Sequence, residues 1–209
     1  MSIIAKDGGN SIIPKLEDGV YTAISSAIID LGVQVSEKFN NSQRKIMLVW
    51  SVLNEFIEIN GEQIQRTMNK EYGLSLGEKS NLRKDLQAWR GKAFTEEELQ
   101  GFNLLNILNK GCQLQIINTE KNGKTYNNIA GIMSMPKGTK LAELENVTVF
   151  DMEDEGTWQN WSNISSWIQE KIKKAENLKT TGFDKFIEEY NDMVKEDVEE
   201  NISKAEQPF

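Results

Sequence analysis

Ser75-Leu76-Gly77-Glu78-Lys79-Ser80-Asn81-Leu82-Arg83-Lys84-Asp85-Leu86-Gln87-Ala88-Trp89-Arg90-Gly91 is the stretch at which the hydrophobic period of this chain changes. Leu82, Leu86 and Trp89 recur at i, i+4 and i+7, one face of a helix, and Gly91 stops the run. Upstream the pattern is that of strands. Residues 17–30 carry Val20-Tyr21-Thr22-Ala23-Ile24 and Ala27-Ile28-Ile29, β-branched and aromatic, bounded by Gly19 and Gly32. Residues 45–52 predict a second strand, apolar on both faces for part of its length. Asn60-Gly61 is the dipeptide of a tight hairpin turn, and a third strand is expected over about 65–76.

Downstream, Thr95 and Glu98 form a capping-box pattern that starts another helix, and residues 103–108 suit a short turn. Strands over 112–119 and 125–133 flank Lys121-Asn122-Gly123-Lys124, a second Asn-Gly turn. The expected class is therefore mainly β with helical insertions: an OB-like five-stranded barrel with helices between strands 3 and 4. A small sandwich or an open α+β sheet gives a similar string. After Pro136 comes a helical and acidic C-terminal extension. Val147-Thr148-Val149-Phe150 is an apolar patch in a linker. Trp161, Ile164, Ile168 and Ile172 fit one helical face flanked by Trp158 and Trp167, and Phe183, Phe186, Ile187, Tyr190 and Val194 fit another. The expected divisions are a flexible arm over 1–14, a nucleic-acid-binding domain over 15–140, a linker with amphipathic helices over 141–194, and an acidic tail over 195–209.

Composition narrows the chemistry. Histidine is absent and Cys112 is the single cysteine, which removes His-based triads, disulfides within the chain and Cys-rich zinc sites. No catalytic residue and no cofactor is expected. Carboxylates such as Glu71 and Asp85 leave a Mg²⁺-dependent nuclease formally open, without a spacing that argues for it. No apolar run approaches a membrane span and no signal peptide is seen, so a cytoplasmic protein with no membrane partner is expected. The net charge of -8 is unevenly placed: residues 15–140 hold 16 Lys+Arg against 14 Asp+Glu, and residues 141–209 hold 7 against 17. A near-neutral body with an acidic tail is the pattern of a binding module with an appended interaction segment, although acidic helices also serve solubility.

Between Arg66 and Lys92 seven Lys/Arg face three acids. Lys70 and Tyr72 share one strand face, since strand side chains repeat every two residues. A cation beside a ring suits a single strand, whose bases stack while the ammonium meets phosphate. The competing arrangement packs Tyr72 into the barrel and leaves Arg83 and Lys84 as solvated helix charges. Lys121, Lys124 and Tyr126 form a second candidate set on the last hairpin, a loop that lines the groove in OB-folds. Trp50 and Trp89 have apolar neighbours that favour the core over stacking. In the tail, Glu199, Glu200, Glu206 and Phe209 are candidates for contacting protein partners, a terminal ring and carboxylate anchoring beside a cation.

Residues 70–86, Trp89-Arg90-Gly91-Lys92-Ala93-Phe94-Thr95, Gly123-Lys124-Thr125-Tyr126-Asn127-Asn128-Ile129, Met135-Pro136-Lys137-Gly138 and Trp167-Ile168-Gln169-Glu170-Lys171-Ile172 resemble a group of bacteriophage replication-module proteins described as single-stranded DNA-binding. The resemblance spans roughly residues 15–173. It implies an OB-like body that coats single-stranded DNA without strong sequence preference. The acidic Pro-Phe ending is similar to tails that recruit replication or recombination proteins. A homodimer is left open. The rival expectation is a phage-encoded adaptor or inhibitor acting on a host target through the Trp-rich helix.

Overall fold

Bulges bend the long strands. In the computed structural model, which describes residues 14–36, 41–59 and 61–205 and side chains through 197, the first strand β1 runs over Gly19–Ser36. Its pairing with β2 (Asn41–Ile59) shifts register between Ser25 and Ala27 and again between Asp30 and Gly32. Each shift adds a residue to one strand, kinks it and raises its twist. Gly32 is thus a bulge inside β1 and does not end the strand, as its glycine suggested. Its φ is +66°, and a Cβ there would lie 2.6 Å from the Ala175 Cβ, so only glycine fits.

β2 pairs with β3 (Glu62–Gly73), and the opposite edge of β1 pairs with β4 (Gly111–Lys121), which pairs with β5 (Lys124–Met133). All these pairings are antiparallel. The order β3-β2-β1-β4-β5 makes a curled half-barrel of five strands, so the chain is mainly β with several helices. Lys70 Nζ bridges its open seam by donating to the Ile129 carbonyl of β5 at 3.4 Å. A short strand, β6 (Thr148–Phe150), adds in parallel to β1 where β4 has ended. It comes from the apolar patch expected to be linker.

Between β3 and β4 lie α1 (Asn81–Arg90), α2 (Glu96–Gln100) and a 3₁₀ turn over Leu104–Ile107. Gly91 ends α1 in the left-handed conformation, and Thr95 and Glu98 exchange both capping-box bonds. Leu82, Leu86 and Trp89 are buried against the inner sheet face with Trp50, Leu114 and Ile116. Both tryptophans are core residues, their rings 5.8 Å apart, and the Trp89 indole donates to the Gly111 carbonyl at 2.8 Å.

The outer sheet face has a core of its own. Ala27, Ile29, Leu31 and Met47 pack against Phe150, Met152, Trp161, Ile168 and Phe183 from the C-terminal third. The single helical face expected over 161–172 is split into a 3₁₀ segment, Glu155–Asn163, and α3 (Ser166–Ile172), yet all four of its apolar residues are buried there. α4 (Leu178–Thr181) leads into α5 (Phe183–Ala205). The layer is pinned at Arg44, whose guanidinium donates to Asp30, Asp151 and Glu153 at 2.8–3.2 Å. Burial alone would lower the Arg44 pKa, but these carboxylates raise it above its usual value. Glu71 of β3 accepts from Lys45 and from Lys171 of α3; burial opposes its ionisation, and the two lysines hold its carboxyl below the usual range.

Candidate nucleic-acid interface

Past Val52, β2 pairs only with β3, and past Ile116, β4 pairs only with β5. The two hairpins therefore extend as arms beyond the start of β1, at the same end of the half-barrel. The second arm turns on Asn122-Gly123, whose φ of 53° and 70° are the two positive values such a turn needs. Between the arms lies a groove of about 430 Å³ lined by Ile57, Ile64 and Arg66 on one side and Tyr126 and Asn127 on the other. Residues 14–16 run through it. The Leu16 amide donates to Asn127 Oδ1 at 3.0 Å, Asn127 Nδ2 donates back to the Leu16 carbonyl at 2.8 Å, and Arg66 donates to the Pro14 carbonyl.

Tyr126 is 45% exposed and Ile64 is exposed opposite it. Lys15, Lys121 and Lys124 are exposed, and no ion pair ties any of them to another described residue. The groove combines an open ring, a partly apolar floor and two lining cations, Lys15 and the half-buried Arg66, while Lys121 and Lys124 stand at the tip of the second arm. Flat apolar rings can lie against Tyr126 while anionic groups meet the cations.

The set expected around β3 and α1 is arranged differently. Lys70 and Tyr72 do share a face, but it is the inner one. Tyr72 is 3% exposed; its hydroxyl and Lys70 Nζ both donate to Asp85 Oδ2 at 2.8 Å, and the ammonium lies 5.6 Å from the ring. Burial and the Asp85 carboxylate push the Tyr72 phenol up, so it stays protonated as a donor. The stacking role expected of Tyr72 is corrected: no ring face is free for a base. Arg90 is likewise taken, lying over Phe94 and Phe102 with their centroids at 4.4 and 4.7 Å and paired with Glu98. Arg83 donates to the Leu76 carbonyl at 3.3 Å, and Lys84 stays exposed on α1.

No protein-family model matches the chain, and no curated protein is similar to it.

Glu71 of β3 is held by Lys45 and Lys171 on the outer face of the sheet, and Asp85 of α1 by Lys70 and Tyr72 on the inner face, so they do not form a shared pair. Among the described residues no group of three or more acids or sulfur ligands is placed to hold a metal, and no helix is long and apolar enough to cross a membrane. Cys112 is buried, and burial raises its thiol above the usual range. Of the tail candidates, Glu199 and Glu200 fall in α5 with side chains outside the described set, while Glu206 and Phe209 lie outside the described residues. Residues 191–197 of α5 are exposed all round.

Reading the sequence alone misses Lys15, Arg66 as a groove residue, and Ile64. The signal that would have found them is the pair of Asn-Gly hairpins: each predicts a strand pair, and both pairs outrun the first strand.

Proposed function

We propose that the chain binds single-stranded DNA without sequence preference, in the replication or recombination of a phage genome, through the groove between the two hairpin arms. The observation that carries this is the open aromatic ring of Tyr126 beside Lys15 and Arg66 in one groove at the mouth of the half-barrel, with Lys121 and Lys124 exposed at the tip of the hairpin that carries Tyr126. Single strands offer unstacked bases and a regular phosphate spacing, and this lining meets both. The strand order supports an OB-like reading: β3 and β5 run in the same direction across the seam, a helix follows β3, and the last hairpin borders the groove. Lys84 and Arg83 on α1 extend the positive surface along the seam, and Lys70 contributes through its hold on Asp85. The acidic C-terminal part of α5 and the residues after it, Glu199, Glu200, Glu206 and Phe209 among them, recruit protein partners.

Fluorescence anisotropy of a labelled oligothymidine at two salt concentrations tests this. The expected result is binding that weakens with salt, with a logarithmic slope of about -0.7 per phosphate neutralised, and much weaker binding of duplex of equal length. Absence of binding, both in the full chain and after removal of residues 195–209, overturns the reading. The adaptor reading draws on one observation, the exposed Trp167 of the Trp-rich segment. Under it, the chain binds a host protein through that segment and shows no oligothymidine binding at either salt concentration.

A further inference from the structure

The outer face of the sheet is not fully covered. The helical layer lies over Met47 and Leu31, but α3 begins only at Ser166, and past it Ser51 on β2 and Thr67 and Asn69 on β3 are left beside a cavity of about 430 Å³. Register explains the grouping: Ser51 pairs with Thr67 and Val49 with Asn69, so all four project to this face. Trp167 stands at the far wall, 52% exposed. It sits one helical turn before Lys171, which reaches Glu71 of β3, so the indole lies on the side of α3 that faces the same strand.

The chemistry of the lining is specific. Among the described residues no charged side chain lines this cavity; its polar groups are hydroxyls and the amides of Asn69, Asn146 and Asn163, over an apolar floor that includes Val49 and Ile164. Asn69, Asn146 and Asn163 are exposed, and their amides make no side-chain hydrogen bond to another described residue, so each is open to a ligand. An amide offers a donor and an acceptor side by side, the pattern that pairs with the edge of a base. Thr67 lines both this cavity and the groove between the arms, so the two meet across the edge strand β3.

We infer that this cavity is a subsite for one unpaired nucleobase, stacked on Trp167 and hydrogen-bonded at its edge by the asparagine amides. The inference rests on the single-strand reading above: the phosphates remain on the cationic groove side, where Arg66 and Lys15 lie, and the neutral base turns over the edge of β3 into a cavity that has no cation to hold a phosphate.

Two measurements test it. Thymidine and deoxyadenosine, which carry no phosphate, are titrated into the full chain while the tryptophan indole N–H signals are followed by NMR, with that of Trp167 assigned through Trp167→Phe. The expected result is a saturable shift of the Trp167 signal at millimolar nucleoside. No shift, or a shift produced by glucose and not by nucleosides, overturns the inference. Oligothymidine affinity is then compared between the native chain, Trp167→Ala and Trp167→Phe, with thermal melts to establish that each is folded. Loss of stacking should weaken binding about ten-fold in Trp167→Ala, with most of the affinity kept in Trp167→Phe. Unchanged affinity in a folded Trp167→Ala overturns the inference and leaves the groove reading standing. If the oligonucleotide does not bind the native chain at all, the groove reading fails, and the nucleoside titration still decides the cavity.

Discussion

Lys70-Glu71-Tyr72 on β3 and Lys124-Thr125-Tyr126 on β5 are the same local pattern, a lysine and a tyrosine two residues apart on one strand face. In the first, the tyrosine is buried and both side chains close on Asp85; in the second, both lie exposed at the mouth of a groove. Strand periodicity puts lysine and ring together, and it does so in both places. What separates them is what lies above the face. α1 packs over the end of β3 that carries Tyr72 and supplies Asp85, whereas Tyr126 sits on an arm that has run past β1 and past α1. Surface or core is decided here by how far each hairpin outruns its neighbour, a property of the whole sheet.

The largest expected effect follows from the buried member of the pair. Tyr72→Ala removes a buried ring and leaves Asp85 with Lys70 alone, which should cost about 3–5 kcal/mol in urea denaturation. Tyr126→Ala should stay within about 0.5 kcal/mol of the native chain, as exposed positions do. Equal losses at the two positions would erase the contrast.

A loss of similar size is expected at the other face. Arg44 compensates Asp30, whose side chain is 5% exposed, and joins it to Asp151 and Glu153 of the C-terminal layer. Arg44→Met leaves that carboxylate buried without its cation, a change of about 3 kcal/mol or more by the same denaturation measurement. A smaller loss, with the outer layer released and the inner core intact, would show that the two cores melt separately.

These two faces also mark how far the sequence could be read. The five main strands, the helix at Leu82, Leu86 and Trp89, the capping box at Thr95 and the hairpin at Asn122-Gly123 were all legible, because each rests on local periodicity or turn chemistry. The bulge at Gly32 was not, since a glycine inside a strand reads as its end until the opposing Ala175 and Asn177 are known. Val147-Thr148-Val149-Phe150 was too short to be a strand on pattern alone, and it becomes one only because β1 has a free edge there. The candidate site was half legible: Lys121, Lys124 and Tyr126 came from a hairpin tip, but Lys15 and Arg66 join them only through long-range contacts.

On the binding side, Tyr126→Ala should weaken oligothymidine binding by about 1–3 kcal/mol, the worth of one stacked base, with the fold unchanged. Tyr72→Phe is the matched control: it keeps the ring, loses the hydroxyl bond to Asp85, and should leave DNA affinity as it was. If Tyr72→Phe lowers affinity in a stable protein and Tyr126→Ala does not, the assignment of the two tyrosines is reversed.

A pH dependence separates the outer layer from the groove. Glu71 has its carboxyl held below the ordinary glutamate value of 4.5 by Lys171 and Lys45. A depressed carboxylate stabilises the fold fully above that ordinary value and loses its contribution as pH falls through the depressed one. Glu71→Gln should therefore be less stable than the native chain at neutral pH, and the gap should narrow below pH 4.5. A gap that stays constant with pH would mean that the two lysines contribute nothing through charge.

The smallest effect is the most direct comparison of the two lysines. An ammonium already paired with a carboxylate does not neutralise a phosphate and so displaces no condensed cation from the DNA, adding little to the salt dependence of binding. Lys70, at 2.8 Å from Asp85, is in that position, and Lys124, with no acid paired to it among the described residues, is not. Lys124→Ala should reduce the slope of log affinity against log salt by about 0.7, the worth of one phosphate contact on a single strand, while Lys70→Ala should leave the slope unchanged even where it lowers stability. The slope is insensitive to a uniform loss of folded protein, so it reads contact and not integrity. A slope that falls with Lys70→Ala would mean that its ion pair with Asp85 opens on binding and that Lys70 meets phosphate itself, which erases the contrast between the two lysines.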